Sequence, residues 1–296
     1  MKKKLSKLFG LLLVSLYLSA CGGNNPTPSD SGESTPTDSG EVSTDSGEST
    51  TQEDTSSTSE DVEDYYVSIH NETGSELLTA LNTLNNQKKT KSFKYADIKE
   101  YSKYTERPAT GDDVPADKMV GFYDNTLVSA EWDSQATWNR EHVWPNSLGG
   151  GKVEGDLFMT RPCSVKINSE RGNKFYGIGE GLYDAGQYVA EYRGVAARII
   201  FYCAIAQTSL KLGEESASNT MGKLSDLLRW NLEYLPSTAE DAPLALRVEQ
   251  NRNDVVQKQQ SPQLQGNRNP FVDHPEYACR IWGDRNSETR KACGIN

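Results

Sequence analysis

The chain has few residues of the kinds that build zinc sites. Its 296 residues include three histidines, His70, His142 and His274, and five cysteines, none of them in a Cys-x-x-Cys arrangement. A structural zinc site takes four cysteine or histidine ligands at short spacings. The sequence therefore argues against a structural zinc site, and it offers very few imidazoles for acid–base chemistry near neutral pH.

A long apolar run is also missing. Residues 8–18 are largely apolar, but they are too few for a membrane-spanning helix, which needs about 20. The run follows four lysines and ends in Leu18-Ser19-Ala20-Cys21, which resembles a bacterial lipobox. We predict that residues 1–20 are a lipoprotein signal peptide and that Cys21 carries the lipid; an ordinary secretory signal is the alternative. Both interpretations predict export, and the first predicts an extracytoplasmic protein anchored by lipid to a bacterial membrane.

Residues 22–64 contain no Leu, Ile, Phe or Trp, and they hold 12 acidic and no basic side chains. Such a segment cannot bury enough apolar surface to offset the entropy of ordering, so we predict that residues 21–64 are the lipidated cysteine and a disordered linker. Residues 65–296 carry 30 acidic and 27 basic side chains. The low isoelectric point therefore arises from the acidic linker. No basic patch is visible in the sequence of the domain, so composition does not indicate which kind of partner the protein binds.

Residues 65–296 are long enough for one domain with its own core. Apolar periodicity indicates several helices, and a polar turn between two apolar runs indicates a hairpin over residues 119–128. One predicted helix begins at a capping box, Thr73–Glu76. Three others are predicted over residues 195–210, over residues 224–232 and from about Ala245 to Gln259. We expect an α+β fold, a helical scaffold around a small β-containing centre.

Four cysteines remain in the exported domain after Cys21. Cys279 and Cys293 enclose a short terminal loop and are the favoured disulfide pair in an oxidising compartment. Pairings that involve Cys163 or Cys203 stay open at this point.

One segment combines the groups that hydrolysis of a phosphodiester needs, namely a base and positive charge for the phosphoryl oxygens. His142 is the histidine that lies among other reactive groups, directly after Glu141. In an extended segment these two side chains point to opposite faces, so we expect them to do different work. The Glu141 carboxylate and the Asn168 amide oxygen suit a magnesium ion, and Arg161 and Arg171 are candidate phosphate-binding cations.

Each of these residues also has an ordinary interpretation. A Glu-His pair is usually a solvated surface dipeptide, Asn168 is typical of a turn or a helix cap, and Arg161 and Arg171 are typical partners of carboxylates. Their occurrence in order within about 35 residues favours an active site.

The residues around this segment form a longer pattern. Two blocks resemble the bacterial endonuclease I family, secreted or periplasmic nucleases with a ββα-metal (His-Me finger) active site. The first block is Asn139-Arg140-Glu141-His142-Val143-Trp144-Pro145. The second block has three parts: Gly155-Asp156-Leu157, then Arg161-Pro162, then Asn168-Ser169-Glu170-Arg171-Gly172-Asn173. Residues 193–202, 226–230, 249–253 and 265–276 fit the same pattern. The resemblance extends from about Tyr65 to Trp282.

The resemblance implies a role for each candidate residue. It makes His142 the general base and makes Glu141 and Asn168 the Mg²⁺ ligands. It also implies an arginine that stabilises the scissile phosphate, for which Arg171 and Arg161 are the candidates.

The resemblance also implies the fold around the site, a ββα-metal finger embedded in a mainly helical single domain. His142 is then expected on the first strand, Asp156 at the start of the second strand, and Asn168 at the start of the helix. The implied products carry a 5′-phosphate and a 3′-hydroxyl. Little base preference is expected, because phosphate contacts carry no sequence information.

The chain departs from the family directly after Asp156-Leu157, where the family usually has histidine and this chain has Phe158. The two implied metal ligands do not include this position. We therefore interpret Phe158 as a packing substitution.

Three functions fit these observations. The first is a membrane-tethered, magnesium-dependent, sequence-nonspecific endonuclease that hydrolyses DNA, with RNA as a second substrate class. The second is a non-catalytic nucleic-acid-binding lipoprotein that captures DNA, with Phe158 marking a decayed site. The third is a phosphoesterase that uses the same finger on small substrates. The retention of Glu141, His142 and Asn168 favours the first, because binding alone needs none of them.

Overall fold

Helices form most of the regular structure in the computed structural model, which describes residues 59–110, 114–258 and 261–296. The predicted signal peptide, Cys21 and most of the predicted linker lie outside these residues. The described residues belong to one compact unit. Within them, no helix has both the length and the apolar character that a membrane crossing requires.

The first three helices are α1 (Ser59–Tyr65), α2 (Gly74–Lys88) and α3 (Ile98–Thr105). Helix α1 occupies the last residues assigned to the linker, and its Tyr65 is buried in the core. Helix α2 confirms the prediction of a helix after Thr73. The predicted capping box does not form, because the Thr73 side chain makes no capping hydrogen bond although Thr73 is the N-cap residue.

Two antiparallel strands, β1 (Lys118–Val120) and β2 (Leu127–Ser129), confirm the predicted hairpin. Its turn contains Tyr123 and Asn125, both with a positive φ, of 81° and 58°. The Tyr123 side chain is fully buried, so the turn sends an aromatic hydroxyl inward rather than toward solvent.

The polar motif lies on a strand–strand–helix unit. Strand β3 (Trp138–His142) pairs antiparallel with β4 (Thr160–Ser164), with His142 opposite Thr160, and helix α4 (Val165–Arg171) follows β4 directly. The hydroxyl of Ser164 caps α4 by accepting a hydrogen bond from the Ile167 amide. The unit therefore carries the sequence motif on its first strand and on its helix.

The connection between β3 and β4 contains two short 3₁₀ turns, Asn146–Leu148 and Gly150–Lys152. A side chain at Gly150 would meet the backbone oxygen of Trp144 at 1.9 Å, so this turn requires glycine. The prediction that Asp156 begins the second strand is wrong, because β4 starts at Thr160. Asp156 is instead buried, where its carboxylate accepts hydrogen bonds from Lys89 and other polar groups.

Helix α5 (Tyr192–Ala206) forms the centre of the core, and 13 of its 15 residues are buried. It confirms the helix predicted over residues 195–210, although it ends before Leu210. The remaining elements are β5 (Lys211–Gly213) and β6 (Thr220–Lys223), which pair in parallel, and α6 (Leu224–Glu233), α7 (Leu244–Gln257), α8 (Pro270–Asp273), α9 (Tyr277–Trp282) and α10 (Ser287–Ala292). Helices α6 and α7 confirm the other two predicted helices. The α+β class is thus confirmed.

The favoured disulfide between Cys279 and Cys293 is present and joins α9 to the end of α10. Cys163 and Cys203 are free and buried. Burial raises the pKa of both thiols well above the usual range, so both behave as small apolar core residues.

Candidate active site

A surface cavity of about 220 Å³ opens where β3 ends and α4 passes. It is lined by residues of β3, the following loop and α4: Arg140, Glu141, His142, Pro145, Asn146, Asn168, Gly172 and Asn173. Three of the five residues singled out from the sequence, Glu141, His142 and Asn168, therefore share one cavity.

Glu141 is a buried carboxylate with one oxygen in use. Its Oε1 accepts a hydrogen bond from the Tyr123 hydroxyl at 2.8 Å and lies 3.1 Å from Nε of Arg171. No donor from the described part of the chain reaches Oε2. Burial raises the pKa of Glu141 to about 7, against the opposing effects of the Arg171 charge and the Tyr123 hydrogen bond.

Asn168 is oriented through its amide nitrogen, which donates a hydrogen bond to Oδ1 of Asn139 on β3 at 2.6 Å. This bond fixes which end of the amide faces the strand. The amide oxygen accepts no hydrogen bond from the residues that the structure describes. The cavity thus offers two oxygen atoms without donors, one from Glu141 and one from Asn168.

His142 is held by a carboxylate that the sequence reasoning missed. Its Nε2 lies 3.4 Å from Oε2 of Glu154, which also accepts a hydrogen bond from Asn146 at 3.1 Å. The Tyr95 ring packs against the imidazole with 4.6 Å between ring centroids. Because Nε2 faces a carboxylate, the favoured neutral tautomer carries its proton there, which leaves Nδ1 as the basic nitrogen.

Burial lowers the pKa of His142, against the opposing effect of Glu154. The imidazole is therefore neutral, and able to accept a proton, over a wider range below neutral pH than a free histidine. No hydrogen bond within the described residues occupies Nδ1. The local sequence did not predict the contact of Glu154 with His142, because the two lie 12 positions apart and on either side of a turn that requires Gly150.

Arg171 is fully buried and lies behind Glu141, outside the set of residues that lines the cavity. Its two terminal nitrogens donate to the backbone oxygens of Gly172 and Val143 at 2.7 and 2.8 Å, and its guanidinium lies 4.6 Å from the Tyr176 ring centroid. This placement suits an arginine that fixes Glu141. It does not favour the phosphate contact expected from the sequence.

Arg161 is also placed away from the cavity. It donates two hydrogen bonds to the carboxylate of Glu106, at 2.9 and 2.6 Å, and both side chains are buried. Arg252 contacts the same carboxylate. The phosphate contact expected of Arg161 therefore finds no support in its position, because its guanidinium is committed to a buried ion pair.

Arg140 is the arginine that does line the cavity. One terminal nitrogen donates to the backbone oxygen of Tyr95 at 2.6 Å, and the guanidinium stacks 3.7 Å from the Tyr95 ring centroid. Its Nε is buried without a hydrogen-bond partner, and among the described residues no carboxylate forms an ion pair with it. Arg140 stood inside the sequence motif, but nothing in the sequence distinguished it from Arg161 or Arg171.

Phe158 lies in the core, as expected for a packing residue. It is 2% exposed, and its ring centroid lies 4.8 Å from that of Tyr202 on α5. It is separate from the residues that line the cavity.

The family model for endonuclease I matches residues 71–188 of this chain, which include the whole cavity. The extracellular ribonuclease of Bacillus amyloliquefaciens is 30% identical over 245 residues, which cover 74% of this chain and 78% of that protein. The chain belongs to the endonuclease I family. As a member of that family it is a nuclease, a hydrolase of phosphodiester bonds. A second relative, the extracellular ribonuclease of Bacillus subtilis (strain 168), is 33% identical over 168 residues, which cover 49% of this chain and 54% of that protein.

Proposed function

We propose that this chain is an exported, magnesium-dependent, sequence-nonspecific endonuclease that cleaves DNA and RNA at the cavity between β3 and α4. The observation that carries the proposal is the arrangement around His142. The half-buried carboxylate of Glu154 faces one ring nitrogen, and no hydrogen bond from the described residues occupies the other. Arg140 packs on the same Tyr95 ring as His142, and no carboxylate in the described residues forms an ion pair with its guanidinium.

We interpret β3, β4 and α4 as the ββα-metal finger of the family. Two antiparallel strands followed at once by a helix support this, with Glu141 and His142 on the first strand and Asn168 on the helix. The second strand begins at Thr160 and not at Asp156, so the finger is shorter than the sequence predicted.

Glu141 and Asn168 fit a magnesium ion. Both present oxygen, both line the cavity, and the described residues supply no donor to Glu141 Oε2 or Asn168 Oδ1. With two protein ligands the ion would keep several waters, as magnesium usually does. When bound there, the ion would act as a Lewis acid toward the phosphoryl oxygens.

In the proposed mechanism His142 accepts the proton of the attacking water through Nδ1. Glu154 holds the imidazole in position and stabilises the imidazolium that forms, as a carboxylate does for the histidine of a catalytic triad. Arg140 supplies positive charge to the scissile phosphate, and Arg171 fixes the Glu141 carboxylate from behind. Water forms a new bond to phosphorus while the bond from phosphorus to the 3′-oxygen breaks, and the leaving 3′-alkoxide takes up a proton from solvent. The products therefore carry a 5′-phosphate and a 3′-hydroxyl.

The relatives and the N-terminal sequence support the proposed substrate and location. The two Bacillus relatives are named extracellular ribonucleases, which supports RNA as a substrate beside DNA and supports an extracytoplasmic location. The lipobox-like segment ending at Cys21 supports attachment to a bacterial membrane through lipid. Globomycin-sensitive processing with labelling of Cys21 by a fatty acid would test that anchor.

The function is tested by cleavage of supercoiled plasmid and of single-stranded RNA by the full-length protein, with magnesium and with chelator. We expect cleavage with magnesium and a fall of about 10²- to 10⁴-fold in the His142→Ala variant, the usual contribution of a general base. Thermal unfolding of the variant checks that it is folded. If folded wild-type protein binds both substrates and cuts neither in magnesium, the capture function is correct instead.

A further inference from the structure

Cations and aromatic rings alternate along a row that leads away from the cavity. The Tyr95 ring contacts His142, and the Arg140 guanidinium stacks on Tyr95. The same guanidinium lies 5.3 Å from the Trp132 ring centroid, and Nζ of Lys99 lies 5.4 Å from it. We call Lys99, Trp132, Arg140 and Tyr95 the cation–aromatic row. It joins α3, the loop before β3 and β3 itself to the catalytic imidazole.

Trp132 is unusual among the five tryptophans of the chain, all of which the structure describes. The other four are at most 1% exposed. Trp132 is half-buried and touches the core through an edge contact with Trp138, at 4.9 Å between centroids and 85° between planes. Part of the Trp132 ring is thus left accessible beside two cations, close to the site of hydrolysis.

The charge of the row is not cancelled by its neighbours. Among the described residues, the one carboxylate that pairs with Lys99 is that of the exposed Glu100, at 3.7 Å, and exposed pairs of this kind contribute little. Glu131 is paired with Lys103 at 2.7 Å, and the Asp133 carboxylate accepts bonds from the backbone of its own loop. Phosphates that approach the row therefore meet an Arg140 guanidinium without an ion-pair partner among the described residues, and a Lys99 ammonium whose pair with Glu100 is exposed and weak.

We propose that the cation–aromatic row binds one unpaired strand of the substrate, with a base stacked on Trp132 and the adjoining phosphates on Arg140 and Lys99. The proposal rests on the proposed function, and it names single-stranded nucleic acid as the preferred substrate class. An unpaired base offers its face to an aromatic side chain, whereas a base inside a duplex is covered on both faces by its neighbours. Stacking and phosphate contacts do not read the 2′-hydroxyl, so RNA and DNA strands bind alike.

A purely structural role for Trp132 makes a different prediction. The residue also packs against a small cluster of Met119, Val128 and Trp138. If covering this cluster were its whole role, replacing it would lower the unfolding temperature and weaken all substrates equally. Binding of unpaired strands would then not change the emission of Trp132.

The test uses the full-length protein in chelator, so that strands bind without being cut. Short single-stranded RNA, the same sequence as DNA, and a DNA duplex are titrated while tryptophan emission and the anisotropy of a labelled strand are followed. We expect both single strands, and not the duplex, to quench emission from Trp132. In Trp132→Leu we expect about tenfold weaker binding of single strands, whereas Trp132→Phe, which keeps an aromatic face, binds within a fewfold of wild type.

The charge of the row is tested by salt dependence. We expect Lys99→Gln to reduce the slope of log affinity against log salt by about 0.7, one phosphate contact for a single strand. Lys291→Gln, an exposed lysine on α10, is the matched control and leaves the slope unchanged. An unchanged slope in Lys99→Gln would remove that residue from the row and overturn the proposed path.

The results separate the two proposals. If wild type cuts RNA and plasmid but Trp132→Leu binds single strands as tightly as wild type, the row is refuted and the nuclease function stands. If wild type cuts nothing but loses single-strand binding in Trp132→Leu, the row stands and the nuclease function fails. An equal loss for single strands and duplex, with a lower unfolding temperature, assigns Trp132 a structural role and refutes the row.

Discussion

Two polar clusters of this molecule differ in how much of their hydrogen-bonding capacity is used. In the buried cluster around Asp156, one carboxylate oxygen accepts bonds from Lys89 at 2.8 Å, Tyr202 at 2.8 Å and Gln265 at 3.1 Å. In the cavity, Nδ1 of His142 and Oε2 of Glu141 receive nothing from the described residues. The first cluster is completed by the protein itself, and the second is left open to solvent and substrate.

The arginines repeat this contrast. Arg198 gives two nitrogens to Glu249 in buried hydrogen bonds and a third to the backbone oxygen of Tyr234 in a part-buried one. Arg140 lies on an aromatic ring, with one nitrogen bonded and its Nε unpartnered. A buried arginine with all three nitrogens bonded and a carboxylate partner holds the fold together. One that lines the cavity without an ion-pair partner is the better candidate for a substrate contact.

The largest effect on the fold is expected from breaking the Arg198–Glu249 pair. Both side chains are at most 3% exposed, so Glu249→Gln leaves a buried guanidinium charge without its carboxylate. We expect a loss of about 3–5 kcal/mol in the free energy of unfolding. Urea denaturation of the full-length protein measures it.

The same variant tests whether the buried Arg198–Glu249 pair acts only on the fold, because the activity per folded molecule is then expected to stay at the wild-type value. Replacing Glu288, an exposed carboxylate on α10, by Gln is the control and should shift neither quantity. A fall in the rate constant of folded Glu249→Gln protein would mean that this ion pair is coupled to the cavity and that the contrast between the arginines is wrong.

The helices and the hairpin were predictable from the sequence because their apolar spacing is local. The α2 capping box did not form, although the residue types were right, since capping depends on the side-chain conformation at Thr73. The start of β4 was misplaced for a long-range reason. Asp156 is drawn into the core by partners such as Lys89 and Gln265, 67 and 109 residues away, and a local pattern contains no information about them.

The candidate site was predictable in part for the same reason. Glu141 and His142 are adjacent in sequence, and Asn168 belongs to the same motif, so their grouping needed only the strand–strand–helix unit. The choice among the arginines was not predictable. Arg140 and Arg161 differ in their environment, an aromatic ring for one and the Glu106 carboxylate for the other, and Glu106 lies 55 residues from Arg161.

A smaller effect, confined to the cavity, is expected from Glu154. Removing the carboxylate in Glu154→Ala frees the imidazole of His142 to turn, and misplacement of a catalytic group costs on the order of a hundredfold in rate. We expect kcat to fall about ten- to a hundredfold with KM and unfolding free energy close to wild type. Steady-state cleavage of single-stranded RNA measures the two constants.

Glu154→Gln separates positioning from charge in this prediction. The amide oxygen of Gln can still accept a hydrogen bond from the N–H at Nε2. A positioning role therefore predicts that Glu154→Gln recovers part of the rate lost in Glu154→Ala. If Gln is as slow as Ala, the negative charge of Glu154 is what the reaction needs. A KM that rises while kcat stays constant would place Glu154 in substrate binding and contradict the role assigned to it.

The smallest effect is expected from Tyr202→Phe in the completed cluster. The hydroxyl donates to Asp156 at 2.8 Å and accepts from Asn267 at 2.8 Å and from Gln265 at 3.3 Å, and its loss leaves these three partners short of one bond each. Because Asp156 keeps Lys89 and Gln265, we expect a cost of about 1 kcal/mol in unfolding free energy and no change in kcat. Chemical denaturation and RNA cleavage are measured on the same preparation. A reduced kcat at unchanged stability would mean that the Asp156 cluster influences the rate of cleavage. Unused hydrogen-bonding capacity would then no longer distinguish the functional residues of this fold from the structural ones.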